Sequence, residues 1–187
     1  MDIKCSVFIA ASIDGFIARP DGDIEWLLRP EYERAVLNGM TFESYIATVD
    51  ALVMGRKTLE KVASFAEWLY EGTPVIALSH RPLALPAHLE GKVEVMAADA
   101  PTVVAQLAER GMKHLYIDGG QTIQAFLEAG LIDELIITRI PVLLGQGIPL
   151  FSQVGREHEL HHVSTHVSDN GFVQSRYQVT TDSRAVQ

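Results

Sequence analysis

The chain has little cysteine, few basic residues and no long apolar run, and each shortage excludes a class of protein. Cys5 is the single cysteine among 187 residues, so a framework of internal disulfides is excluded. Together with the lack of a recognisable signal sequence, this favours the reducing cytoplasm. Cys5 lies in an apolar strand-like segment, where a core residue is a simpler interpretation than a catalytic thiol.

Charge and hydropathy exclude further classes of protein. The 15 basic residues are outnumbered by 24 acidic ones, and the net charge of -9 opposes general binding to nucleic acid or acidic membranes. A local basic site for a small anion is compatible with a net negative charge. Although 48% of the residues are hydrophobic, no apolar run approaches the roughly 18 residues of a membrane span. The length predicts one domain at 1–181 and a frayed tail at 182–187.

Segments with the pattern of buried strands alternate with segments of helical periodicity. The predicted strands are 3–11, 51–54, 74–78, 93–97, 115–117 and 134–140, and the predicted helices are 30–48 (interrupted near 38–39), 58–66, 99–111 and 121–130. Two more strands, 160–167 and 172–179, flank an Asp-Asn-Gly turn and predict a hairpin. This order predicts an α/β fold with a mostly parallel sheet, covered on both faces, and a C-terminal antiparallel hairpin.

The segment 115–122, LYIDGGQT, combines a short strand, two glycines and the start of a helix. A helix that begins there presents unpaired amide groups at the positive end of its dipole, which suits a phosphate or pyrophosphate. A tight strand-to-helix turn without a ligand explains the same residues equally well.

Two other predicted strands end in basic residues, in the segments GRKT (55–58) and SHR (79–81). Each cluster alone can be a solvated loop or helix start. The carboxyl ends of parallel strands, however, meet at one edge of a sheet, where ligands of such folds bind. The combination favours an elongated ligand that carries more than one phosphate.

Several segments resemble known reductases. VMGRKTLE (53–60) and IDGGQTIQAFLEAGLIDELIITRI (117–140) are similar to segments of dihydrofolate reductases. IAASIDGFIA (9–18) and VLLGQGIPLF (142–151) resemble more closely the reductase half of riboflavin-biosynthesis deaminase–reductases and its stand-alone relatives. The resemblance implies a dihydrofolate reductase-like α/β/α sandwich and NADPH-dependent reduction of a small heterocycle, such as 5-amino-6-(5-phosphoribosylamino)uracil. It also implies a homodimer.

The resemblance assigns cofactor contacts by position in the motifs. The residues that would contact the phosphates of NADPH, its 2′-phosphate included, are Gly55, Arg56, Lys57, Thr58, Ser79, His80 and Arg81. Those that would hold the pyrophosphate are Gly119, Gly120, Gln121 and Thr122. Those beside the nicotinamide would be Ala10, Ala11, Ile17, Ile117 and Asp118. Because the Gly–Gly peptide of the family is commonly cis, we expect a cis peptide between Gly119 and Gly120.

The substrate would stack on the exposed face of the nicotinamide. Candidates for its binding surface are Ala10, Glu25 and Trp26, and candidates for the proton donor are Asp14 and Glu43. Two simpler interpretations stay open: Trp26 as a core residue that anchors a loop, and Asp14 as the cap of an Asp-Gly turn.

The chain departs from dihydrofolate reductases at one position. Their buried acid on the first helix falls near Gly39 and Met40 here, where there is no carboxylate. Glu43 lies one turn later and fills that place only if the helix is shifted. A true dihydrofolate reductase is therefore the second hypothesis, and a non-catalytic NADP(H)-binding or sensing module is the third.

Metal chemistry has weak support in this sequence. One cysteine cannot provide the Pro-Cys-x-x-Cys part of a deaminase zinc site. His158, His161, His162 and His166 have a spacing that would line a helix face and bind zinc. The valines among them favour a strand, with His161 on the side opposite to His162 and His166. We therefore predict surface histidines on a hairpin and no metal.

Overall fold

The computed structural model describes residues 3–33, 35–152 and 154–180. The strands are β1 (Lys4–Ser12), β2 (Phe16–Ala18), β3 (Ala51–Gly55), β4 (Val75–Leu78), β5 (Val93–Met96), β6 (His114–Asp118), β7 (Glu134–Ile140), β8 (Ile148–Pro149), β9 (Leu160–Val167) and β10 (Val173–Val179). The α-helices are α1 (Pro30–Glu33), α2 (Phe42–Ile46), α3 (Arg56–Ala63), α4 (Ala100–Glu109) and α5 (Gly120–Glu128). Short 3₁₀ helices occupy Glu25–Leu27 and Ala87–Leu89.

Eight strands form one sheet in the order β5-β4-β3-β6-β1-β7-β10-β9. The first six of these run parallel, whereas β10 and β9 are antiparallel to their neighbours. β2 and β8 form a separate two-stranded antiparallel sheet. The predicted mostly parallel sheet with a C-terminal hairpin is confirmed.

The central strands are buried on both faces. In β3, Ala51 and Val53 belong to the core shared with α4 and α5, whereas Leu52 and Met54 belong to the core shared with α2 and α3. All four side chains are fully buried. Two-sided burial explains why such strands are unbroken apolar runs in the sequence. It also confirms the expected three-layer α/β/α sandwich.

Helix α4 begins where the sequence predicts. Asp99 is its N-cap, and Asp99 Oδ1 accepts a hydrogen bond from the Thr102 N–H at 3.0 Å. Pro101 lies in the first turn, where its missing N–H breaks no helical hydrogen bond. Gly111 follows the helix with φ of +88°, a conformation that favours glycine.

The predicted helix at 30–48 is wrong in extent, because the structure has two short helices, α1 and α2. Between them Gly39 adopts φ of +99°. The Met40 N–H donates to Gln174 Oε1 at 2.8 Å, and the Met40 carbonyl accepts from Gln174 Nε2 at 2.9 Å. The predicted interruption near 38–39 is therefore confirmed, but since Gln174 lies 134 residues further along the chain, local periodicity could not have indicated how long the break is.

The expected cis peptide is also wrong. Every peptide bond among the described residues is trans, the one between Gly119 and Gly120 included. The chain reverses there through Gly119, whose φ of +91° and ψ of 133° suit a residue without a Cβ atom. The predicted tail at 182–187 lies outside the described residues.

Three of the four C-terminal histidines, His161, His162 and His166, lie on the predicted hairpin in β9, whereas His158 precedes the strand and is half-buried. One detail differs: β9 has an extra residue, Val163, between the partners of Arg176 and Tyr177 on β10. This bulge shifts the alternation, so His161 and His166 share a face, opposite to His162. Within residues 3–33, 35–152 and 154–180, no group of three His, Cys, Asp or Glu side chains is arranged to hold a metal. None of the helices described there is long and apolar enough to cross a membrane.

Candidate active site

Three chain reversals meet at one edge of the sheet, beyond the carboxyl ends of β4, β3 and β6. These strands are direct neighbours. Gly55 at the end of β3 is paired with Leu78 of β4, and Met54 is paired with Asp118 of β6. The turns that follow, at Gly55, Ser79 and Gly119, therefore lie side by side, as the sequence predicts.

Two glycines let the helices α3 and α5 start in close contact. A Cβ atom on Gly55 would lie 2.9 Å from Thr122 Oγ1, and one on Gly119 would overlap Thr58 Oγ1. Each glycine thus faces a threonine in the first turn of the other helix. These contacts fix the two helix N-termini beside each other.

Among the residues that the structure describes, no side chain caps the N-termini of α3 and α5, unlike those of α2 and α4. Thr41 caps α2 and Asp99 caps α4, whereas glycine stands at the N-cap of the other two. Amide groups in a first helical turn have no partner within the helix. The Gly119 N–H is satisfied by Asp118 Oδ1 at 2.9 Å, and the first-turn amides beyond it remain free of side-chain caps. The arrangement suits an anion.

Basic side chains lie next to these helix starts. Arg56 and Arg81 line the same groove, a cavity of about 470 Å³ between α3 and the segment 81–86. Arg56 Nη1 donates to Glu60 Oε1 at 2.7 Å. Ser79 stabilises its own turn, because its hydroxyl donates to the Arg81 carbonyl at 2.8 Å and accepts from the Arg81 N–H at 3.2 Å. The structure thus brings together the two basic clusters, with Lys57 and His80 exposed beside them.

The two-stranded sheet of β2 and β8 lies against the start of α5. A Cβ atom on Gly120 would be 3.1 Å from the Pro149 carbonyl oxygen and 3.3 Å from Ile17 Cδ1. Ile17 is therefore next to the Gly-Gly turn, as expected. Ile117 is fully buried in the core, so a ligand at this edge reaches its main chain only.

Ala10 and Ala11 place small side chains near the end of β1. Ala11 is buried and lines a cleft of about 250 Å³ on the α5 side of the sheet, together with Phe16 and Leu150. Arg139, paired with Ala11 in the sheet, lines the same cleft. Sequence reasoning missed Arg139; its signal is a single charge inside the apolar segment IITRI.

Asp14 holds a loop. Its carboxylate accepts hydrogen bonds from Ser12 Oγ at 2.6 Å, the Gly145 N–H at 2.7 Å and the Leu144 N–H at 3.1 Å. The hydrogen bond from Ser12, followed by those from the two amides, keeps the pKa of Asp14 below its usual value. This geometry favours an ionised carboxylate that stabilises the loop after β7. The catalytic assignment of Asp14 stays a prediction.

Asp118 has the opposite electrostatic character. It ends β6 immediately before the Gly-Gly turn, and loss of hydration raises the pKa of its carboxyl group to about 6, partly offset by the hydrogen bond from the Gly119 N–H. It lies close enough to Tyr70 for its charge to add to the effect of burial that raises the pKa of that phenol. A carboxyl group that titrates near neutral pH can exchange a proton. The sequence indicated a polar residue here, but not its ionisation.

The proposed substrate residues differ in environment. Trp26 is 1% exposed and packs with Ile140 and Phe172, next to Ala10. Its indole N–H has no hydrogen-bond partner within the described part of the chain. Glu25 and Glu43 are exposed, and Glu43 lies on the outer side of α2, whose Tyr45 points into the core. The structure therefore favours the core interpretation of Trp26 and leaves both glutamates at the surface.

The layered sheet, its strand order and the helix starts at its carboxyl edge define the dihydrofolate reductase-like class of α/β folds. Within that class, the family model for the RibD C-terminal domain matches residues 4–174. The chain belongs to this family.

Individual relatives agree with this assignment. A candidate riboflavin biosynthesis protein of Shewanella sp. PV-4 is 38% identical, with a TM-score of 0.85 over 95% of this chain and 99% of that chain. The uncharacterized protein YwjB of Bacillus subtilis is 33% identical over 86% of this chain and 89% of its own length. A deaminase/5-amino-6-(5-phosphoribosylamino)uracil reductase of Thermotoga maritima shares the fold at 16% identity, with a TM-score of 0.69 over 96% of this chain and 57% of that chain.

Proposed function

We propose that the chain is an NADPH-dependent reductase of a small heterocyclic substrate, of the 5-amino-6-(5-phosphoribosylamino)uracil reductase type. The observation that carries the proposal is the pair of uncapped helix starts, α3 and α5, beside Arg56 and Arg81. Membership of the RibD C-terminal domain family supports it, as does the reductase activity named for the Thermotoga protein of the same fold. The proposal includes a cytoplasmic location and a homodimer.

The residues at the sheet edge fit a phosphorylated dinucleotide. Gly55 and Gly119 let the two helix starts lie side by side, since a Cβ atom on either would meet a threonine of the other helix. The first-turn amides of α5 would hold the pyrophosphate. Arg56 and Arg81, which share one groove, would hold the 2′-phosphate through charge-assisted hydrogen bonds, and this is the physical reason to prefer NADPH over NADH.

The reaction needs a hydride and a proton. When bound, the cofactor would supply the hydride, which in this reaction type reaches C1′ of the ribosyl group as the ring opens to a ribityl chain. The protein must supply the accompanying proton. Asp118 is suited to this because a carboxyl group with a pKa of about 6 is partly protonated near neutral pH.

Dihydrofolate reduction is the alternative within the same class, and the structure offers less for it. Gly39 and Met40 stand near the place of the expected acid, and the Met40 main chain is bonded to Gln174. Glu43, the substitute that a shifted helix would require, is exposed on the outer side of α2.

The test is a spectrophotometric assay of NADPH oxidation by the purified chain with aminouracil ribosyl phosphates, dihydrofolate and other pteridines. Oxidation that depends on the aminouracil substrate supports the proposal, whereas oxidation with dihydrofolate alone supports the alternative. Tight NADPH binding without oxidation of any substrate would point to a non-catalytic NADP(H)-binding or sensing module. Absence of NADPH binding would overturn all three.

A further inference from the structure

The two-stranded sheet of β2 and β8 is too small to hold its own position. β2 has three residues and β8 has two, and a pair of such strands is not stable alone in water. Its Ile17 and Pro149 nevertheless lie against Gly120, at the start of α5. Contacts from other parts of the chain must therefore fix this sheet beside the Gly-Gly turn.

Ser12, the last residue of β1, fixes the start of β2. Its side chain is fully buried. Ser12 Oγ donates to Asp14 Oδ1 at 2.6 Å and accepts from the Phe16 N–H at 2.9 Å. One hydroxyl group thus bonds to the middle and to the end of the turn, so the direction in which β2 leaves β1 depends on it.

Asp14 connects that turn to the segment before β8. Asp14 Oδ1 also accepts from the Leu144 N–H at 3.1 Å, and Asp14 Oδ2 accepts from the Gly145 N–H at 2.7 Å. Both oxygens therefore take part in charge-assisted hydrogen bonds, which are stronger than neutral ones. The same hydrogen bonds keep the pKa of Asp14 below its usual value, so this carboxylate has no proton to donate near neutral pH.

The other side of the two-stranded sheet is joined to α5. The Leu150 N–H donates to the Gly15 carbonyl at 2.9 Å, and Gln124 Nε2 on α5 donates to the Leu150 carbonyl at 3.0 Å. Leu150, directly after β8, thus connects the turn at 12–15 with the helix. The place of Ile17 beside the Gly-Gly turn depends on contacts that converge on this turn.

We propose that Ser12 and Asp14 are positioning residues for hydride transfer, which hold Ile17 beside the nicotinamide through the two-stranded sheet and touch no reacting atom. The inference rests on the proposed function, in which the nicotinamide lies beside Ala11 and Ile17. A misplacement of about 1 Å in such a support can cost on the order of 100-fold in rate. This role differs from that of a proton donor, the other assignment of Asp14.

Asp14→Asn and Ser12→Ala test the proposal, with Asp50→Asn as the matched control. Asn at position 14 replaces one accepting oxygen by a donor, which then faces another donor. Asp50 is likewise an exposed carboxylate that accepts from two main-chain amides, the Lys113 N–H at 2.7 Å and the His114 N–H at 2.9 Å. These lie at the start of β6, at the edge of the sheet opposite to the site.

The first measurement is hydrogen exchange on the cofactor-free protein, which does not depend on activity. Asp14→Asn and Ser12→Ala should both exchange faster than the wild type at the amides of 144–150. Asp50→Asn should leave these amides unchanged and exchange faster at 113–114.

The second measurement is the pH profile of kcat. Asp14→Asn and Ser12→Ala should each lower kcat about 10- to 100-fold, by the same factor at every pH above the lowered pKa of Asp14. The dissociation constant for NADPH should change far less, because the phosphate contacts at Arg56 and at the start of α5 remain. The double variant should be no slower than the single ones, since both substitutions break one set of contacts. Asp50→Asn should keep the kcat of the wild type.

Three results would overturn the proposal: unchanged exchange at 144–150 in Asp14→Asn, unchanged kcat in Asp14→Asn, or loss of an inflection from its pH profile, which would make Asp14 the proton donor. Should Ser12→Ala fail to fold, Asp14→Asn decides alone by the same measurements. A wild type that oxidises no NADPH would overturn the proposed function and this inference together, whereas an active wild type with an equally active Asp14→Asn would overturn the inference only.

Discussion

Replacing Gly119 by alanine tests the central feature of the site, the close contact between the starts of α3 and α5. Gly119 has φ of +91° and ψ of 133°, a region where an alanine costs about 1–3 kcal/mol. A Cβ atom there would also overlap Thr58 Oγ1, and overpacking of a rigid contact costs a further 1–3 kcal/mol or so. The expected loss is therefore about 2–6 kcal/mol in the free energy of unfolding, a large part of a typical stability of about 5–15 kcal/mol.

Gly91→Ala and Thr58→Ala are the controls. Gly91 has φ of +78°, and no heavy atom lies within 4 Å of the place that its Cβ atom would take, so Gly91→Ala measures the backbone strain of a positive φ without a clash. Thr58→Ala removes the hydroxyl group that Gly119→Ala would meet. In the double variant the clash is relieved, and we expect a favourable coupling of about 1–3 kcal/mol.

The assay is urea unfolding monitored by circular dichroism, with NADPH titration on each folded variant. We expect Gly119→Ala to lower the unfolding midpoint with an unchanged slope and to weaken NADPH binding at least tenfold through displacement of α5 from α3. The reasoning is refuted if Gly119→Ala is no more destabilising than Gly91→Ala, or if Thr58→Ala does not rescue it.

Three further predictions concern charged groups. Arg56→Ala should weaken NADPH binding about 10- to 100-fold and NADH binding far less, since only NADPH has the 2′-phosphate. Glu60→Gln, which frees Arg56, should tighten NADPH binding. Equal losses of affinity for NADPH and NADH, measured by calorimetry on Arg56→Ala, would contradict the assignment. Asp118→Asn should reduce kcat more than 100-fold, and unchanged turnover would exclude Asp118 as the proton donor. Because a folded-state pKa raised from 3.8 to about 6 makes the ionised carboxyl group unfavourable above that pH, the same substitution should raise the free energy of unfolding at neutral pH by about 1–3 kcal/mol. For Glu134, burial alone would raise the pKa, but Lys4 and Arg176 lower it. Glu134→Gln should therefore lower the free energy of unfolding by about 2–4 kcal/mol near pH 7, and this difference from the wild type should disappear as the pH falls through the folded-state pKa of Glu134. A difference that does not change with pH in an acid titration would show that the ion pairs are not its cause.

The order of strands and helices could be predicted because it depends on local pattern. Unbroken apolar runs such as 51–54 are the consequence of two-sided burial. Asp99 and Pro101 are a local helix-start signal, and in the structure Asp99 is the N-cap of α4 with Pro101 in its first turn. The break between α1 and α2 was predicted near 38–39, but its length was not, because a side chain 134 residues away, Gln174, bonds to both main-chain groups of Met40. The bulge at Val163 was not predicted for a similar reason, since a register belongs to two strands.

The residues of the candidate site divide in the same way. The sequence by itself determined that glycines, basic residues and a short strand stand at 55–58, 79–81 and 118–122, because residue type and spacing are properties of the chain alone. Only the tertiary structure decided which of these groups meet, that Arg56 is already paired with Glu60, and that the pKa of Asp14 is lowered while that of Asp118 is raised to about 6. Ionisation depends on the solvent and hydrogen-bond donors around a carboxyl group, and those are supplied by parts of the chain that become neighbours only on folding.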